Sequence, residues 1–143
     1  EVQMPEKIYS NVDDGLLLLA INRRSEISEN RIDLCPEDQL LQISTKSLPK
    51  DMSFRPHKHN RLRRETFTTN EAWIILKGSV EARFWDIDDK LILKTILNEG
   101  DCAVVFHAGH GFRVLEEETI LYEVKNGPYY GQLKDKSFIE GEE

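Results

Sequence analysis

Long apolar runs are missing from this 143-residue chain. The longest one near its start is Leu16–Ile21, far short of the ~20 residues that a membrane-crossing helix needs. No basic lead-in and small-residue cleavage site of a secretory leader accompany it. The chain opens on Glu1 rather than Met, which leaves a removed leader open, and the cytoplasm is the expected compartment. Cysteine is scarce. Cys35 and Cys102 are too few for a disulfide framework. Two packed thiols in a reducing compartment are expected, with a single bridge between them left open. An excess of positive charge is also lacking, since 19 basic residues face 26 acidic ones for a net charge of -7. That sign excludes a general binder of phosphate backbones, which needs a basic face, although it permits a local basic patch. Neither a nucleic acid nor a membrane is therefore an expected partner. Internal repeats and low-complexity tracts are absent. Helix signals are few, and Pro36-Glu37-Asp38 could open one turn at most.

What the chain does have is a series of short apolar runs cut by turn residues. Leu16–Ile21, a partly alternating Leu40–Ser47, Ala72–Trp85 with Gly78 inside it, and Leu91–Leu97 come first. Cys102–Phe106, Phe112–Leu115 and Ile120–Lys125 complete the series. Asp86–Lys90 reads as a hairpin turn, and Asn98–Asp101 turns again. Seven or more short strands at this spacing indicate an all-β sandwich or barrel. The length suits a single domain, and a domain of about 150 residues buries roughly 70% of its unfolded surface. Residues 1–38 form an N-terminal extension, 39–128 the barrel and 129–143 a polar tail. The last few residues of that tail are expected to fray, and Tyr129 and Tyr130 are expected to cover a barrel edge.

On the strand opening at Glu71, the period-two rule puts Glu71, Trp73 and Ile75 on one face and Ala72, Ile74 and Leu76 on the other. Both faces are largely apolar, so this strand should be covered on both sides. If the face of Trp73 is the interior, Glu71 is a carboxylate looking into an apolar cavity, and it needs a partner or a metal.

His57 and His59 are one residue apart, and on a strand both imidazoles would point the same way, about 6.6 Å apart along the chain. Two neutral imidazoles on one face can share a first-row metal ion. His107 and His110 are the further candidates, and two glycines around His110 suggest a close backbone approach.

His57-x-His59, then Glu71, six residues and Gly78 resembles the first motif of the cupin superfamily. Gly100-Asp101, an apolar strand and a Gly-His pair ending at His110 resemble the second. The resemblance covers roughly residues 40–125. It implies a cupin-type jelly-roll β-barrel, with His57, His59, Glu71 and His110 as ligands of one divalent metal ion (iron, manganese, nickel, zinc or cobalt). Two departures stand out. Eleven residues separate His59 from Glu71, where the family has three or four. Glu65 lies nearer the usual spacing, but only Glu71 has the apolar strand and Gly78 at the right distance. The second-motif histidine is also offset by one position, and Phe106 stands in place of the usual proline.

Lys58, Arg61, Arg63 and Arg64 fill the long insertion. They read either as a solvated loop or as guanidinium groups that meet an anionic substrate at the barrel mouth. Arg61, Arg63 and Trp73 are the candidate substrate contacts. The resemblance implies a small-molecule metalloenzyme of the dioxygenase or isomerase type, acting on a small anionic organic substrate. Two alternatives are a non-catalytic cupin that binds a metal or ligand, and a metal-free nucleotide-sugar isomerase or epimerase. A homodimer is compatible with this reading, and the leading segment Glu1–Ile21 could add a strand to a neighbour's sheet.

Overall fold

The computed structural model describes residues 5–28 and 30–141. Turn residues cut them into β1 (Glu6–Tyr9), β2 (Leu17–Asn22), a 3-10 turn (Arg24–Glu26), β3 (Ile32–Asp33), β4 (Ser44–Thr45) and β5 (Glu71–Lys77). They continue with β6 (Ser79–Trp85), β7 (Leu91–Asn98), β8 (Cys102–Val105), β9 (Gly109–Val114), β10 (Ile120–Lys125) and a single-turn helix α1 (Gln132–Asp135). Every pairing is antiparallel. One sheet has the order β1-β2-β8-β5-β10, a second has β7-β6-β9, and β3 pairs only with β4. The protein is thus an all-β sandwich, as its punctuated apolar runs lead one to expect.

Alternation decides what lies between the sheets. Trp73 and Ile75 face inward from β5 and meet Leu19 and Ile21 of β2, Val80, Ala82 and Phe84 of β6, and Leu97 of β7. The opposite face of β5, with Ala72 and Ile74, packs with Ala20, Cys102 and Val104 under Ile32, Leu34, Cys35 and Phe106. The double coverage expected of β5 is what the fold supplies. Cys35 and Cys102 are both buried in that outer layer and unbridged. Burial pushes the Cys102 thiol up to about 12, and the Cys35 and Asp101 charges push it in the same direction.

The chain switches sheets at sharp corners. Between β5 and β6 a single residue, Gly78, makes the turn at φ +80°. A Cβ there would lie 3.0 Å from the Cα of Thr119, so glycine is required both by conformation and by space. Between β7 and β8, buried Asp101 accepts the backbone N–H groups of Asn98 and Arg24 at 2.8 and 2.9 Å. It also accepts the Arg23 guanidinium at 3.2 Å. Asp101 therefore pins the 3-10 turn to the edge of the sandwich.

Several expectations need correction. The strand that was to carry His57 and His59 does not form. Residues 46–67 contain no strand, and every one of them is exposed. Seven of the 22 are cations that resist desolvation, and Pro49 and Pro56 interrupt any ladder. Of the Leu40–Ser47 run, only Ser44–Thr45 is strand. Pro36 opens a turn closed by Gln39 N–H at 3.1 Å, not a helical turn. Residues 17–22 are not an appendage, because β2 lies between β1 and β8 inside the main sheet. Tyr129 and Tyr130 are largely exposed, and the Tyr129 ring lies 4.7 Å from the Nζ of Lys125, the last residue of edge strand β10. The fraying expected of Glu142 and Glu143 and the start of the leading segment, Glu1–Met4, lie outside the described residues. No barrel closes among the described residues either. β9 pairs only with β6 and β10 only with β5, so both are free edges, joined to each other by residues 115–119.

Phe84 is completely buried, with its ring stacked on Trp73 at 5.9 Å. Phe84→Ala is expected to lower unfolding free energy by about 3–5 kcal/mol through lost transfer energy and the cavity left behind. Urea denaturation followed by tryptophan fluorescence measures it. A loss below about 1 kcal/mol would mean that the two sheets do not meet at this ring.

Candidate functional site

Glu71 is the first residue of β5, and the register decides its neighbours. Val105 of β8 lies opposite it on one side and Lys125 of β10 on the other. Its inward face is shared with Trp73 and Ile75, so the carboxylate enters the space between the sheets. From the facing sheet, β9 pairs His110 with Phe84 and Phe112 with Ala82, which turns both side chains toward the same space. His110 Nε2 and Glu71 Oε2 are 2.8 Å apart, a direct tie between the sheets. The Trp73 ring packs edge-on against His110 at 5.6 Å and against Phe112 at 4.9 Å.

Both imidazole nitrogens of His110 face acceptors. Nδ1 is 2.9 Å from the Ala108 carbonyl, and Nε2 faces the Glu71 carboxylate. Satisfying both at once requires two N–H donors, which only the imidazolium has. Burial pulls the His110 pKa down, but the Glu71 hydrogen bond, the Ala108 carbonyl and the charges of Glu71 and Glu123 outweigh it and hold it above the ordinary value. For Glu71, burial pushes up. The His110 hydrogen bond and charge, then Lys125 and the Trp73 indole, pull harder in the other direction and hold the carboxyl below the usual range. The Trp73 N–H itself is buried and has no partner within hydrogen-bond geometry, although it lies close enough to act on Glu71.

The structure therefore brings together Glu71, His110 and Trp73 from the residues singled out in the sequence. It does not bring His57, His59, Arg61 or Arg63 to them. His57 and His59 lie in the exposed segment, their rings 5.3 Å apart, and His57 Nδ1 is 3.2 Å from the Arg55 carbonyl. Arg61 is exposed, and Arg63 makes an exposed ion pair with Glu65 at 3.3 Å. Among the described residues, no three His, Cys, Asp or Glu side chains approach closely enough to hold a metal ion. The Glu71–His110 pair offers two donor types that first-row divalent cations accept. It has one oxygen and one nitrogen and an outer carbonyl that fixes the imidazole, but the 2.8 Å between them is a hydrogen bond, so the two groups would have to part and His110 lose a proton before an ion could sit on both.

Sequence reasoning missed Phe112, Glu123 and Lys125, which line the same space. Glu123 pairs with Trp73 and Lys125 with Glu71 across the β10–β5 ladder. The signal was present as the alternation Leu121, Glu123, Lys125 on one face of β10. Lys125 is also held at 3.6 Å by Asp135 of α1.

The pair gives stability a defined pH window. His110 is raised above 6.5, so its contribution is full below 6.5 and is lost as pH climbs through its folded value. Glu71 is lowered below 4.5, so its contribution is full above 4.5 and is lost as pH falls through its folded value. The urea midpoint difference between the wild type and the Glu71→Gln/His110→Gln variant is expected to be largest between pH 4.5 and 6.5 and to shrink on both sides. A difference that does not vary between pH 4 and 9 would show that the two groups are not coupled in the folded state.

Among the described residues, no helix is long and apolar enough to cross a membrane. No protein-family model, no curated protein and no solved structure matches the chain.

Proposed function

We propose that the chain is a cupin-type jelly-roll protein that binds one divalent metal ion and a small anionic organic molecule in the cleft between its sheets. The observation that carries this reading is the Glu71–His110 contact at 2.8 Å, an oxygen and a nitrogen donor presented from opposite sheets into a partly open space. The position between them already stabilises positive charge, at present a proton. His57 and His59 are the remaining ligands in this reading, carried by an exposed segment that can reorient without disturbing the core.

The anionic character of the ligand is supported by four side chains. The buried Trp73 N–H lies beside Glu71 without a hydrogen-bond partner of good geometry, and Lys125 stands on the other side of Glu71 in the ladder. Arg61 and Arg63 accompany the two histidines. A bound metal would supply Lewis-acid polarisation. Isomerisation or oxygenation of a small acid is the reaction class we assign. The chain's own residues hold the ligand: Trp73 donates a hydrogen bond, Lys125 and the arginines neutralise charge, and Phe112 shields one wall.

A second reading keeps the same site without metal. An imidazolium hydrogen-bonded to a carboxylate is a ready acid–base pair, and a metal-free sugar isomerase or epimerase could use it.

Elemental analysis of the purified protein separates the two. The metal reading expects about one equivalent of a transition metal, lost in His57→Ala, His59→Ala, Glu71→Gln and His110→Ala. Arg61→Ala and Arg63→Ala are expected to retain it while weakening an anionic ligand about tenfold each. A metal ratio unchanged by all four ligand substitutions would refute the assignment. A protein that takes up no metal after dialysis against each candidate ion leaves the acid–base reading standing.

A further inference from the structure

The C-terminal tail crosses the end of the cleft at which Glu71 and His110 meet. Glu71 opens β5, His110 is the second residue of β9, and Lys125 closes β10 directly opposite Glu71. Residues opposite each other in an antiparallel pair share a face, so the Lys125 stem starts on the inner face beside the carboxylate. Its ammonium is held there from the tail. Asp135, the last residue of α1, approaches Lys125 Nζ at 3.6 Å, and the Tyr129 ring lies 4.7 Å from it. One helical turn aims Asp135, which donates its N–H to the Gly131 carbonyl at 3.0 Å, as Lys134 does at 3.2 Å.

Four residues later the tail is on the far side of the facing sheet. His110 points inward, so Gly109 before it points outward, on the face of its ladder partner Trp85. A Cβ on Gly109 would fall 2.5 Å from Cδ1 of Ile139 and 3.2 Å from Cβ of Trp85. Ile139 therefore fills the notch that the glycine leaves. Lys136 is extended, and no helix or strand follows it before Ile139. Four extended steps reach about 13 Å, against a spacing of about 10 Å between packed sheets. The stretch from Asp135 to Ile139 thus spans the gap and straps the end of β10 to the outer face of β9.

The strap is lightly held. Between Gln132 and Gly141 only Asp135 and Ile139 are half-buried, while Leu133 and Phe138 are 100% and 78% exposed. Its charged anchor is a carboxylate on an ammonium whose side chain keeps 26% exposure, a pair in which another carboxylate can take over at little cost. Segments with so few buried contacts open at the low end of a protein's stability range.

We propose that Asp135 is a built-in occupant of an anion site on Lys125, and that a small carboxylic acid entering the cleft takes its place and releases the strap. The exchange rests on the anionic ligand of the function proposed above and narrows it to a carboxylate, the group for which Asp135 stands in. A phosphate dianion would bring a second negative charge against Glu71 and Glu123, whereas a carboxylate keeps the balance that the strap leaves.

Two measurements on the full chain test the exchange. Labelling with acetic anhydride, read by mass spectrometry, compares Lys125 with Lys77, whose side chain is 55% exposed and outside the strap. In Asp135→Asn/Ile139→Ser, Lys125 is expected to label at least about threefold faster than in the wild type, with Lys77 unchanged. Equal labelling of Lys125 in both proteins overturns the strap. Malonate is the ligand probe, followed through the Trp73 indole N–H in proton–nitrogen spectra. Asp135→Asn is expected to bind it at least about tenfold more tightly than the wild type, and Asp135→Asn/Lys125→Met to lose that gain. A gain that persists without Lys125 overturns the anion site. Malonate bound equally by the wild type and Asp135→Asn overturns the exchange and leaves the function proposed above standing. Malonate bound by neither protein overturns the anionic ligand of that function and the exchange with it.

Discussion

An ionised carboxylate between two apolar sheets is the constraint around which this protein is arranged. Glu71 enters the sandwich because β5 alternates and because Trp73 and Ile75 on the same face belong to the core. A buried charge without a partner would be prohibitively costly, so something cationic must meet it. His110 does so from the opposite sheet, with its second nitrogen fixed on the Ala108 carbonyl. The contact therefore works mechanically as well as chemically. It holds β9 over β5 at the point where the sandwich is open, and it orients the Trp73 and Phe112 rings that wall the cleft. The sheet corners support this placement. Gly78 turns the chain from β5 into β6 in one residue, and Asp101 fixes the corner that leads into β8, the neighbour of β5.

The division of charge has a similar logic. Concentrating cations in residues 46–67 keeps that arm out of its own apolar interior, since seven ammonium and guanidinium groups cannot be desolvated cheaply. The rest of the chain is strongly acidic, above all around the turn between β9 and β10. Attraction between such regions is long-ranged at low salt and screened beyond about 8 Å at physiological ionic strength.

The all-β sandwich was legible in the sequence because strand alternation and turn chemistry are local. Two-sided coverage of β5 and the sharing of one face by Glu71, Trp73 and Ile75 follow from side-chain period alone, whereas the break of the Ala72–Trp85 run at Gly78 into strands of two different sheets does not. Even Glu123 and Lys125 could have been read as cleft residues from the alternation of β10. His57 and His59 illustrate the limit. Their spacing suggests a strand, but a strand exists only when another strand accepts its hydrogen bonds, and no local rule supplies that partner.

The residues by themselves thus determined most of the strands, which side chains share a face of the central strand, and that a Glu71 turned inward needs a partner or a metal. Only the tertiary structure decided that the cation is His110, because residues 39 positions apart meet through the packing of two separate sheets. It also decided that β9 and β10 end as free edges and that the arm lies outside. Edges and open sides are properties of how sheets pair and face each other, and pairing over long sequence distances is set by the sum of all contacts, not by any one segment.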